Sequence, residues 1–509
     1  MPNESNVKHV FVLMLENRSF DGLLGFSGIT ATDVVSKKRR TIPQPTGEYY
    51  YGGQNWPVTS PGINPMPLDP GHEFPDTLEQ LCGQGATYPS GGPYPPITNS
   101  GFVSNYALNG GGKVSGSKLG DPLCCFSKTQ VPVITALAEA FCICDGWCSS
   151  MPGPTWPNRL FVHAASSGGL DHSPSAVDIA YYMAFGYSFE NGTIFDRLEQ
   201  MNLPWRIYEG DSWPLSFALK NMTKYWLEGG HFEFFDKFAS DVQSTSSPYA
   251  PVYTFIEPSY GAITSNFTCG TSQHPLDDIA RGEWLIKCTY EAIRNSPVWD
   301  TSLLIVTWDE HGGFFDHVAP PGTAMPPGDK PTWPNNNQSG FTFSQYGVRV
   351  PTLVVSPYIL PNAIDGRLYD HTTVLATLEK IFGIEPLTAR DRSASDLTSL
   401  LNTVSTTAPT KLPEPAPQVS LPGCQQFSSC GDLPKARVAY TIAGIAPDDH
   451  AMDGNLPGFV HVALQRDLAI SDESVKTERI ARAQAVTTRA EARQYLLEVA
   501  QRLQSYRRA

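Results

Sequence analysis

Four short apolar runs free of charge frame this chain: Val10 to Leu15, Val252 to Ile256, Leu303 to Val306 and Val350 to Val355. Runs of this length without polar alternation predict strands buried on both faces, as in a parallel sheet covered by helices. Between them the spacing changes to that of helices. Val131 to Phe141 predicts a mostly buried helix, Leu160 to Ala165 has helical content with Pro157 suited to a first turn, Ile279 to Arg294 is amphipathic, and Thr372 to Phe382 follows the last strand. The alternation predicts an α/β fold, a three-layer αβα sandwich around a mostly parallel sheet, with a smaller C-terminal region.

Acidic and amide residues come just after two of these runs, as Glu16-Asn17 and Asp309-Glu310. Polar groups past the ends of parallel strands sit at the carboxyl edge of the sheet, where open α/β folds place their ligands. From Tyr49 to Asp121 the chain is rich in Gly, Pro, Asn and Tyr, which predicts long ordered loops in place of helices and a lid or rim near a site. Thr403 to Pro422 reads as a Thr/Pro-rich linker, Val438 to Ala443 as a strand and Val475 to Arg508 as a charged helix. A boundary near Thr406 therefore separates a larger domain, residues 1–405, from a C-terminal region, residues 406–509, that no motif covers.

With 509 residues and 41% hydrophobic content, the chain has the make-up of an ordinary globular protein. A net charge of -14 argues against nonspecific attraction to nucleic acid, while leaving room for a local patch that docks on lipid. No stretch is long enough to span a bilayer. The polar start and the short apolar run after it predict a strand instead of a leader, so location stays open between cytoplasmic and a mature or otherwise exported form. Ten cysteines, an even number, permit disulfides. Cys142, Cys144 and Cys148 lie in or beside an apolar stretch and read as buried thiols before they read as a metal cluster.

Glu16, Asn17, Asp309 and Glu310 together offer an oxygen set suited to one divalent cation, with calcium, magnesium, manganese and zinc all compatible. Either pair alone fits a solvated loop or a helix cap. Thr155 is a normal helix cap by local sequence. A hydroxyl in that position also faces the anion-stabilising end of a helix, and a cation would lower its pKa enough to make it a nucleophile. Asn158 would then donate its amide to a phosphoryl oxygen. His72, His274 and His317 supply phosphate donors or the acid that protonates a leaving alkoxide. His311 reads as structural beside the tight turn at Gly312-Gly313, and His371 as a cap on the helix after it.

Taken together, Glu16 to Asp21, Asp69 to Phe74, Pro152 to Arg159, Glu257-Pro258, Gln273 to Pro275 and Thr307 to Pro321 resemble the bacterial phospholipase C and acid phosphatase family of phosphoesterases, within the alkaline-phosphatase-like superfamily. The resemblance implies that Glu16, Asn17, Thr155, Asp309 and Glu310 hold one metal. It also implies that Thr155 attacks phosphorus to form a phosphothreonine, and that His72, His274 and His317 bind phosphate and transfer protons. Threonine at the nucleophile position is the mark of the phospholipase arm. The expected reaction is therefore hydrolysis of a phosphatidylcholine-type glycerophospholipid, at a membrane or micelle surface, to diacylglycerol and a phosphorylated head group. Trp56, Trp156, Trp205, Trp213 and Trp308 lie near these motifs, where an aromatic box would bind choline and core packing is the plainer role. Two alternatives remain: a broad-specificity phosphomonoesterase and an inactive lipid-binding protein.

Overall fold

The computed structural model describes residues 6–109, 114–175, 186–262, 267–332, 336–401, 408–433, 451 and 455–506. Its strands in chain order are β1 (His9–Leu15), β2 (Thr30–Asp33), β3 (Arg39–Thr41), β4 (Glu48–Tyr51), β5 (Gln54–Pro57), β6 (Cys142–Cys144), β7 (Trp205–Glu209), β8 (Phe232–Phe234), β9 (Tyr253–Glu257), β10 (Ser302–Trp308), β11 (Thr352–Val355) and β12 (Ala363–Asp365). β4 and β5 pair as a hairpin, and the other ten form one sheet in the order β3-β2-β12-β6-β11-β10-β1-β9-β7-β8. β1 lies at its centre, parallel to both β9 and β10. Only β3 and β11 run against their neighbours. Every residue of β9, β10 and β11 is buried, so both faces of the central sheet are covered, as the unbroken apolar runs require. β11 begins at Thr352, one residue after Pro351, which has no N–H to give to the ladder.

The sheet register sets the site. Leu15 is level with Trp308, so Glu16 and Asp309 leave adjacent strands side by side at the carboxyl edge. Glu257 ends β9 one strand away.

Several expectations change. The segment from Tyr49 to Asp121 carries helices at Phe74–Cys82 and Phe102–Asn109 as well as the hairpin. The first is set by Glu73 and Asp76, which form a reciprocal capping box around Pro75, a signal submerged in the Gly/Pro-rich composition. Residues 408–433 are also no free linker. Tyr290 and Lys287 donate to the carbonyls of Pro409 and Leu412, and disulfides Cys269–Cys424 and Cys288–Cys430 staple it to the body.

Farther on, the charged stretch from Val475 falls into two helices, Glu473–Gln484 and Arg489–Tyr506. Thr487 and Thr488 break them apart by hydrogen bonding Glu491. A third helix, Leu456–Ala469, was not expected, because Pro457 and Gly458 in its first turn hide the pattern. It is buried almost throughout and packs into the same apolar core as β1. The strand expected at Val438 to Ala443 lies outside the described residues. Cys142, Cys144 and Cys148 are buried thiols without disulfide partners, as expected. Among the described residues no helix is long and apolar enough to cross a membrane.

Candidate active site

Thr155 opens the helix Thr155–Ala164 and is fully buried. Asn17 Nδ2 donates to Thr155 Oγ1 at 3.1 Å and also to Glu310 Oε1, so one amide ties the hydroxyl to the acidic cluster. Asn17 takes a left-handed backbone, φ 53°, and this bends the chain sharply as it leaves β1. Gly312 packs against it: a Cβ there would meet the Asn17 carbonyl at 2.5 Å, so the glycine turn does bring backbone against the site.

Asp309 accepts the Asn17 N–H at 3.1 Å on one oxygen and Arg159 Nε at 2.9 Å on the other. Arg159 stands one helical turn after Thr155, on the same helix face, and also donates to the Leu15 carbonyl at 3.0 Å. His371 lies against the Asp309 carbonyl at 2.6 Å, while Trp147 Nε1 donates to its other nitrogen, which fixes His371 as a neutral donor. Burial pulls its pKa down to about 4, consistent with that form. His371 therefore braces the site and makes no side-chain cap on the helix Thr372–Phe382. Glu310 is held by the Gly312 N–H at 2.7 Å and lies 3.4 Å from His311.

The donor set fits a cation. Both carboxylate oxygens of Glu16 and Asn17 Oδ1 are buried without a hydrogen-bond donor, which is costly unless something else satisfies them. Burial and then Asp309 push the Glu16 pKa up to about 8, and burial lifts Asp309 to about 6, against the pull of Arg159. Crowded carboxylates that would otherwise take up protons are the environment in which a divalent ion binds. Glu16, Asn17, Asp309, Glu310 and Thr155 are the residues that would hold it. Asp21, Asp316 and His317 also bring ligand-type atoms within 4.8 Å of one another, but there Arg349 donates to both carboxylates and offsets part of their charge.

The histidines divide. His72 is drawn down by burial, but the carboxylates of Glu310, Asp69 and Glu73 and the Pro70 carbonyl outweigh this and raise it to about 10. His274 lies 3.4 Å from Asp69, and burial takes it down to about 4. His317 pairs with Asp21 at 2.6 Å and has no hydrogen bond to Thr155, Asn17 or Glu310. Asn158 also departs from its expected role. Its amide donates to the carbonyls of Gly153 and Pro154, and its oxygen accepts the Met151 N–H, so it holds the loop that presents Thr155 and is not turned toward a phosphoryl group. The four tryptophans at 156, 205, 213 and 308 are fully buried and Trp56 nearly so, which makes them core residues, not an aromatic box.

Three contributors carried no expectation. Arg159 was within reach of sequence reading, through its spacing of four from Thr155. Gln80, whose oxygen lies 2.7 Å from His311 Nε2, and Asn455, whose amide lies 3.2 Å from Thr155 Oγ1, had no local signal.

With this geometry in view, the match to known proteins is informative. Residues 7–385 match the model of the Phosphoesterase family. The chain belongs to that family. Non-specific phospholipase C6 of Arabidopsis thaliana is 34% identical over 431 residues, 81% of this chain and 76% of that protein. Non-specific phospholipase C3 of the same plant is 32% identical over 430 residues, with the same two coverages. Phospholipase C B of Mycobacterium tuberculosis (strain ATCC 25618 / H37Rv) is 27% identical over 478 residues, 86% of each chain. This phosphoesterase is thus a phosphoric ester hydrolase with a mostly parallel α/β fold.

Proposed function

We propose that this phosphoesterase is a metal-dependent phospholipase C that cleaves glycerophospholipids of the phosphatidylcholine type through a phosphothreonine on Thr155. The observation that carries the reading is the position of Thr155 Oγ1. It lies at a helix amino terminus and is hydrogen bonded by Asn17, in an acidic cluster where both carboxylate oxygens of Glu16 lack donors. The names of the relatives agree with this reaction class.

When bound, a divalent cation would neutralise the acidic cluster and lower the pKa of the threonine hydroxyl. The remaining work falls to the chain. The helix Thr155–Ala164 directs its free N–H groups toward the phosphoryl oxygens. Thr155 Oγ forms a bond to phosphorus as the bond from phosphorus to the glycerol oxygen breaks, and that oxygen leaves as diacylglycerol after taking a proton. His72, beside Glu310, would offset charge on the phosphoryl group when protonated. Water then attacks phosphorus, restores the hydroxyl and releases the phosphorylated head group.

Two disulfides in a chain of this size also support work in an oxidising compartment, on the exported side of the two locations left open by the sequence.

The test compares wild type with Thr155→Ala on phosphatidylcholine vesicles, with and without chelator. Head-group release should require Thr155 and the cation, and acid quench should trap the phosphorylated head group on Thr155. Full activity in folded Thr155→Ala would rule the nucleophile out. A strong preference for a mono- over a bis-nitrophenyl phosphate would favour a phosphomonoesterase, and vesicle binding without turnover an inactive lipid binder.

A further inference from the structure

We propose that Asn455, at the start of the helix Leu456–Ala469, is a catalytic residue that donates its amide to the attacking oxygen and to the phosphoryl group during transfer. The inference rests on the reading of Thr155 as nucleophile and extends the site into the region beyond residue 406.

Asn455 Nδ2 lies 3.2 Å from Thr155 Oγ1, on the same oxygen that Asn17 reaches at 3.1 Å. The side chain is 4% exposed, and its Oδ1 is buried with no partner. Asparagine at the start of a helix normally caps it, yet Asn455 makes no side-chain cap bond. Its Nδ2 is turned to Thr155 instead. Behind it, the first turn of a 14-residue helix has backbone N–H groups without intrahelical acceptors. Two helix amino termini, those of Thr155–Ala164 and Leu456–Ala469, therefore meet at one hydroxyl, and the positive ends of both favour an anion there.

The seat of this helix is built to hold that position. Gly458 lies so close to the Trp156 ring that a Cβ would come within 2.0 Å of it. Phe459 packs against Trp156 and Tyr260, with ring centroids 6.3 and 5.3 Å away. Farther along, Arg466 pairs with Glu209 at 2.6 Å, both fully buried. A donor carried on a helix seated this firmly has little backbone to reorganise as charge develops, the condition under which a single donor counts most. As the bond from Thr155 Oγ to phosphorus forms and the ester bond breaks, negative charge lies on the phosphoryl oxygens, within reach of an N–H already placed at the attacking atom.

The experiment uses the full chain as wild type, Asn455→Ala, Asn455→Asp and Thr155→Ala. It measures kcat and KM on phosphatidylcholine vesicles, inhibition by orthovanadate, metal content and Tm. Asn455→Ala should lower kcat about 100-fold, the usual loss for one transition-state donor, with metal content unchanged and vanadate binding at least about tenfold weaker. Asn455→Asp is nearly isosteric and caps a helix equally well, so a residue that only shaped the helix would tolerate it. Here it should be worse than alanine, because a carboxylate would face the phosphoryl anion. It also decides the question if the alanine variant fails to fold. Wild-type kcat/KM and vanadate affinity in Asn455→Asp would overturn the proposal. Activity in Thr155→Ala would instead remove the reading beneath it, so the two failures are distinct.

Discussion

Arg159 Nε donates to Asp309 Oδ2 at 2.9 Å, and neither side chain is more than 3% exposed. The same guanidinium reaches the Leu15 carbonyl, so it locks the ends of β1 and β10 together behind the acidic pair. Arg159→Met would leave a buried carboxylate without its partner. The expected loss is about 3–5 kcal/mol of stability, read from urea unfolding. An unchanged midpoint would show that the pair does not hold the strand ends.

Gly458→Ala sets two effects against each other. Alanine gains about 1 kcal/mol of helix propensity, but its methyl would lie 2.0 Å from Trp156, and overpacking of a filled core costs about 1–3 kcal/mol. The ring follows Thr155 directly in sequence, so its displacement should reduce turnover more than stability. Paired Tm and kcat measurements check this.

Glu283 provides a pH signature away from the site. Its oxygens accept the N–H groups of Val133 and Ile134 at 2.9 and 2.7 Å, and burial pushes its pKa up to about 8 from an ordinary 4.5. Between those two values the folded chain holds a proton that the unfolded chain has released. The contribution of Glu283 to stability therefore falls as pH rises from about 4.5 to about 8, and is level above that. Glu283→Gln has no such slope and loses about 1 kcal/mol with one acceptor. The stability deficit of the variant should be largest near pH 5 and shrink by pH 8, as followed by denaturant titration at both.

Eight of the ten cysteines fall into two classes that mass spectrometry can separate. Non-reducing digests should yield the linked pairs Cys269–Cys424 and Cys288–Cys430. Buried Cys125, Cys142, Cys144 and Cys148 should resist alkylation until the chain is unfolded. Each bridge closes a loop of more than 140 residues, for which the chain-entropy model gives about 5 kcal/mol. The loops overlap, so the two contributions do not add. Cys424→Ser should lower the urea midpoint clearly, and it should free the strap around residues 408–424 to earlier proteolysis.

How much of this was legible before folding differs from one residue to the next. Glu16 and Asp309 could be placed, because unbroken apolar runs mark strands buried on both faces and their ends mark the sheet edge. Thr155 could be placed at a helix start by Pro157. Asn158 and His317 could not be read, because whether a polar side chain faces a ligand or its own loop depends on acceptors brought near by folding. Asn158 spends its amide on Gly153 and Pro154, and His317 is held by Asp21.

The local sequence alone determined four adjacent strands of the sheet, β1, β9, β10 and β11, several of the helices and the residue types able to bind a cation and attack phosphorus, since these follow from periodicity and side-chain chemistry over a few neighbouring positions. Tertiary structure decided the rest. The Leu15–Trp308 register puts two carboxylates side by side, and Arg159 is turned onto one of them. Asn455 is brought 300 residues back along the chain to Thr155 by a helix whose first turn hides its pattern and whose seat depends on Trp156, Tyr260 and Glu209. Contacts of that range are set by the packing of a whole core, and no local window of sequence contains both partners.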